Sequence, residues 1–151
     1  MKGHKIDTSK EALKFMFSGK SVVSFLNTKT DNRFTFKLKQ AKDSNLFFVS
    51  VLTGPEQYTY LGTCVEGRYK TGKKSSVSNE AQSVQVFNYM LRNLINDSVS
   101  DFLEVWHEGF CGKCGKSLTV PSSIITGIGP DCLKKISRSD KRDKFLELIL
   151  C

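Results

Sequence analysis

Apolar residues recur along this chain first at helical spacing, then at every second position, then at helical spacing again. Residues 8–18 open the first stretch. Thr8 and Glu11 stand as a capping-box pair, Leu13, Phe15, Met16 and Phe17 supply apolar surface, and Gly19 closes the helix. The period then falls to two. Ser21–Thr28 reads as a strand, Asp31 and Asn32 as a turn, and Arg33–Lys39 alternates strictly, with Phe34, Phe36 and Leu38 on one face and Thr35, Lys37 and Lys39 on the other. A turn at Asp43, Ser44 and Asn45 leads into Leu46–Leu52; Gly54 and Pro55 break that strand, and Tyr58–Val65 makes a fourth. Short strands separated by polar turns predict an antiparallel meander.

Past Gly67 a polar stretch, Arg68–Ser78, reads as a loop. Helical spacing returns over about Glu80–Asn96, where Val84, Phe87, Leu91 and Leu94 fall on one face and Asn79 and Gln82 can cap the start. This helix is expected to cover the apolar face of the sheet. Residues 97–103 read as a linker into a short strand, Glu104–His107, and Leu133–Leu150 as a charged helix with a break around Ser137–Asp140. The expected organisation is an α+β domain over residues 1–103 followed by a second module over residues 104–151. No internal repeat or low-complexity tract interrupts it.

Composition narrows the class. The chain has 151 residues, 39% of them hydrophobic and eleven of them Phe, enough for a core without disulfides. No apolar run approaches the ~20 residues of a membrane span, and Met1–Lys10 lacks an apolar signal stretch, so a cytoplasmic protein with no membrane partner is expected. Five cysteines are an odd number, and three of them lie between Cys111 and Cys132, which fits metal binding better than a disulfide framework. The net charge of +8 attracts polyanions at long range, nucleic acid first among them, although solubility alone accounts for such an excess equally well.

The sharpest chemistry lies in His107-Glu-Gly-Phe-Cys111-Gly-Lys-Cys114-Gly-Lys. A C-x2-C pair with glycines inside and after it forms a tight knuckle whose backbone N–H groups turn toward the thiolates. The third cysteine follows Gly127-Ile-Gly-Pro-Asp, and Pro130 suits the first turn of a helix, whose dipole favours a thiolate at Cys132. Knuckle, strand-turn segment and helix-borne ligand predict a treble-clef-like zinc finger. Such a finger takes a second ligand from its last helix, but Lys135 occupies that place, so His107 is the natural fourth ligand; Cys64, Cys151 and water are the alternatives. Three thiolates, one imidazole and Zn2+ sum to one negative charge, which Lys113, Lys116, Lys134 and Lys135 can balance. A filled four-ligand site is structural. The deaminase signature is absent, and no nucleophile–base pair, phosphate loop or dinucleotide turn has the context it needs, so no enzyme is expected.

The segment CGKCGKSLTVPSSIITGIGPDC resembles the core of small, uncharacterised zinc-finger proteins of bacteriophages and bacterial mobile elements, which reads C-G-x-C-G-x-x-L-T-x-P-x-S-I-x-x-G-I-G-P-x-C. Val105-Trp106-His107-Glu108-Gly109 matches the approach to that finger, and FFVSVLTGPEQYTYLGT is similar to the domain that precedes it, so the likeness runs from about Arg33 to Leu133. It implies one zinc ion and a phage or mobile-element origin, hence a bacterial host cytoplasm, but no defined activity. Nucleic-acid contact is implied by fold analogy alone. Lys113 and Lys116 stand where many of these proteins have arginine, so a bidentate arginine role is not carried over.

Two basic clusters are candidate phosphate contacts: Arg68, Lys70, Lys73 and Lys74, with Tyr69 as a stacking partner, and Lys134 and Lys135 with the basic residues after them. Either can equally be a solvated surface. Phe34, Phe36, Phe47 and Phe48 are expected in the core, as is Cys64. Two readings follow: a zinc-binding accessory protein that touches DNA or RNA, or a module that binds a host protein and blocks or redirects it.

Overall fold

A computed structural model describes residues 3–42, 44–75, 77–78, 80–116, 118 and 127–129. Local signals account for its first helix. The Thr8 hydroxyl accepts the Glu11 N–H at 3.1 Å, α1 runs Ser9–Met16, and its Ala12, Leu13, Phe15 and Met16 are buried. Ahead of it lies a short strand, β1 (His4–Ile6). After it the chain lays down β2 (Lys20–Asn27), β3 (Asn32–Gln40), β4 (Leu46–Gly54), β5 (Gln57–Val65) and β6 (Arg68–Thr71) as a continuous antiparallel meander. Helix α2 (Gln82–Ile95) then carries the chain back across the sheet, and β7 (Leu103–His107) inserts between β1 and β2, giving the order β1-β7-β2-β3-β4-β5-β6.

Alternation decides what each strand buries. Val23, Phe25, Phe36, Leu38, Phe47, Val49, Cys64 and Val105 face inward and meet α1 and α2. Phe87 of α2 sits at the centre, its ring 5.1 Å from Phe36 and 5.4 Å from Tyr69. Each such Phe contributes roughly 1.5–3 kcal/mol through burial. Both helices lie on this inner face, and no described element covers the outer one. A register shift between Val49 and Ser50 marks a bulge in the β4–β5 pairing, beside buried Leu61.

The expected fold class needs correction. Among the described residues there are seven strands in one antiparallel sheet and two helices, and no group of three His, Cys, Asp or Glu side chains that could hold a metal, so the treble-clef-like finger with its helices is not supported. The stretch read as a loop from Arg68 is a strand through Thr71, pairing Thr63 with Lys70 and Cys64 with Tyr69. Helix α2 begins after Ala81 with no side-chain cap, and the expected capping residue Asn79 lies outside the described residues, as does the stretch Leu133–Leu150 read as a helix. The strand expected to open a second module is an inner strand of the main sheet: β7 pairs with β1 and with β2, setting Val23 opposite His107. No helix among the described residues is long and apolar enough to cross a membrane, which says nothing of a β-barrel.

Candidate functional site

At the end of β7 the chain turns into the cysteine knuckle. Gly109, at φ +88°, makes the bend, and the hairpin closes through Cys111 N–H to Lys116 O at 2.7 Å, Gly115 N–H to Cys111 O at 2.8 Å and Leu118 N–H to Gly109 O at 2.9 Å. Two further bonds attach it to its neighbours, Lys20 N–H to Gly112 O at 2.6 Å and Gly112 N–H to Gly127 O at 2.8 Å. Gly112 is required here because a Cβ would stand 2.8 Å from the Phe15 ring. The knuckle is thus seated on α1 through Phe15.

The Cys111 thiol is buried and ringed by donors. Its Sγ accepts Lys113 N–H at 3.4 Å and Gly129 N–H at 3.3 Å. Burial raises its pKa, but the backbone N–H groups of Gly129, Cys114 and Lys113 and the Cys114 side chain outweigh that, and the net shift is downward. Cys114 is exposed at the rim. Cys64 is the opposite case: burial on the inner face, partly offset by a backbone hydrogen bond from Gly67, pushes its thiol up to about 12.

The structure therefore brings Cys111 and Cys114 together and sets Gly129 against Cys111, while Cys132 lies outside the described residues. His107 does not join the two thiols in a three-membered metal group among the described residues. It is fully buried on the inner face, with its ring 5.4 Å from Phe15 and 5.2 Å from His4. Its Nδ1 accepts the Gly109 N–H at 3.0 Å, which in a neutral ring places the proton on Nε2.

Of the basic residues singled out by sequence, Arg68 and Lys70 lie on edge strand β6 and project to the outer face, and Lys73 and Lys74 occupy the exposed turn that follows; Lys134 and Lys135 lie outside the described residues. Tyr69 is not a stacking partner. Alternation turns it inward onto Phe87. Pairing places more residues on the outer face than the two clusters named: Lys5 and Trp106, Lys20 and Lys39, Leu26 and Arg33, Lys37 and Ser50, and Phe48 opposite Lys39 and Thr63. Phe48, expected in the core, is 43% exposed there, while its neighbour Phe47 is buried. The signal that could have found it is the alternation itself, since adjacent strand residues cannot both face inward. Two ion pairs cross this face, Arg33–Glu108 at 2.6 Å, to which Ser24 adds a hydrogen bond at 3.0 Å, and Lys5–Glu104 at 3.4 Å.

Residues 103–137, which include β7 and the knuckle, are similar to a family of unknown function, DUF6011; the match covers less than half of the chain. No curated protein and no solved structure matches.

Proposed function

We propose that the protein is a non-enzymatic module that associates with nucleic acid, its knuckle fastened by one structural zinc ion. The observation that carries the nucleic-acid reading is the sign of the outer face: Lys5, Lys20, Arg33, Lys37, Lys39, Arg68 and Lys70 project there, and its described ion pairs engage only Lys5 and Arg33. Lys73 and Lys74 extend the positive field past β6. Phosphate-driven binding predicts an affinity that falls linearly on a logarithmic salt scale, with a slope of roughly 0.7–0.9 per phosphate contacted. The test is an oligonucleotide titration across that salt range with wild type and a variant carrying Lys37→Glu, Lys39→Glu and Lys70→Glu. Wild type should bind steeply salt-dependently and the variant should not bind; no binding by wild type at low salt would overturn the reading.

The metal reading is supported by the donor set. Two adjacent thiols, one with its pKa lowered by backbone N–H groups, suit zinc, and Cys132 follows Gly129 by three residues, within roughly 10 Å of chain. Bound there, zinc supplies no reaction; it ties the segment after the knuckle to β7. Cys111, Cys114 and Cys132 form the thiolate set, and His107 serves it as the buried ring beneath Gly109 rather than as a ligand. Cobalt substitution tests this: the visible spectrum of His107→Gln should keep its thiolate bands and the wild-type stoichiometry, whereas loss of metal would return the histidine to the site. The likeness of Cys111–Cys132 to phage and mobile-element zinc-finger proteins supports a setting in a bacterial host.

A protein partner is the second reading, favoured by an apolar groove of about 500 Å³ between the β2–β3 turn end and α2, lined by Phe34, Val86, Met90, Phe102 and the half-exposed Tyr89.

A further inference from the structure

We infer that the outer face of the sheet is a platform for single-stranded nucleic acid, with Phe48, Tyr58 and Tyr60 as base-stacking surfaces and Lys37, Lys39 and Lys70 as phosphate contacts. The inference rests on the nucleic-acid reading above and adds the form of the ligand and the side chains that select it.

Strand pairing assembles the platform on four adjacent strands, β3 to β6. Across β4 and β5, Phe48 pairs with Thr63, Ser50 with Tyr60 and Leu52 with Tyr58, which puts all three rings on the face opposite α1 and α2. The Phe48 and Tyr60 ring centroids are 6.5 Å apart at 58°, so each offers a separate surface and two neighbouring bases of an extended strand can use both. Phe48, Leu52 and Tyr58 are 43%, 38% and 36% exposed, a grouping of large apolar side chains that core packing does not explain. Lysines stand between and beside them. Lys37 pairs with Ser50 and holds its Nζ 5.3 Å from the Tyr58 ring, Lys39 pairs with Phe48, and Lys70 pairs with Thr63.

Interleaved rings and lysines are a poor match to duplex nucleic acid, whose bases are stacked on one another and withheld from the protein. They match a single strand, whose base faces are free to stack while its phosphates reach the neighbouring cations. Among the described residues, no helix or ribbon protrudes from this face to enter a major groove. Glu104 and Glu108, the carboxylates on this face nearest Trp106 and Arg33, are each engaged by a cation, although the Glu108 charge still reaches Tyr58, while Lys37, Lys39 and Lys70 carry the positive charge of the β3–β6 half.

The test uses the zinc-loaded full chain with fluorescein-labelled dT20 and U20 strands and a mixed-sequence 20-base-pair duplex, at low salt. Wild type should bind the single strands about tenfold or more tighter than the duplex. Phe48→Ala and Tyr58→Ala should each weaken single-strand binding about tenfold, the loss of one stacked base, and leave duplex binding unchanged. Lys37→Glu with Lys39→Glu should weaken both. Comparison of dT20 with U20 tells DNA from RNA preference, and either supports the inference. Equal affinity for single strand and duplex with neutral aromatic variants would overturn this inference and leave the nucleic-acid reading standing; no binding to any of the three would overturn both. Circular dichroism of each variant separates a binding loss from unfolding.

Discussion

The two faces of this sheet are built from the same strands and alternate residue by residue, yet they are opposite in kind. Inward, Phe36, Phe47, Val49 and Leu38 are buried against Phe87 and α1. Outward, Lys37, Lys39, Phe48 and Ser50 occupy the intervening positions with no described element above them. Phe47 and Phe48 make the contrast in one dipeptide: one side chain is core, its neighbour is 43% exposed. Composition therefore says little about what a strand aromatic does, and its face decides. A hydrophobic side chain on the inner face holds the fold; on the outer face it is available to a partner.

The sharpest way to break this contrast is to truncate one ring on each face. Phe36→Ala should lower the unfolding free energy by about 3–5 kcal/mol in a urea titration, the usual result for a large side chain removed from a packed core. A pH scan probes the same face. The Cys64 thiol rises from 9.0 unfolded to about 12 folded, so the stability linked to it is fully present below pH 9 and is lost as pH climbs through 12. Thermal melts should fall across that window, and Cys64→Ala should make the fall shallower; an unchanged profile would show that the thiol is not shielded. Gly112→Ala presses a methyl onto Phe15 and should cost about 1–3 kcal/mol, detaching the knuckle from α1. Glu108→Gln should cost about 1 kcal/mol, since Arg33 loses a charged partner that is only partly shielded from water. Smallest of all, Phe48→Ala should change stability by less than about 0.5 kcal/mol. If it costs as much as Phe36→Ala, the two faces are not distinct.

Much of the sheet was legible in the chain. Strict alternation over Arg33–Lys39 and the turns at Asp31 and Pro55 mark β2 to β5, and the Thr8–Glu11 pair marks α1. The edges were not. β1 has three residues and β6 four, too few for a period to show, and β6 hides its inward residues, Tyr69 and Thr71, among cations. The position of β7 depends on pairing His4 with His107, neighbours in the sheet but far apart in the chain, which no local pattern contains. The treble-clef expectation extrapolated from one knuckle and a proline to a helix-bearing finger, and the described residues supply only two thiols of such a site. The knuckle itself was legible because glycines around C-x2-C have one geometric use. That the buried His107 ring accepts the Gly109 N–H was not, since spacing alone carries no hydrogen-bond geometry.

Lysine acetylation footprinting with and without saturating single-stranded oligonucleotide tests the central claim most directly, because it reads both sides of the molecule in one sample. Lys37, Lys39 and Lys70 on the outer face should be protected in the complex, while exposed Lys10 on α1 keeps its reactivity. Protection of Lys10 with Lys37 and Lys39 unchanged would place the partner on the helical side and contradict the account.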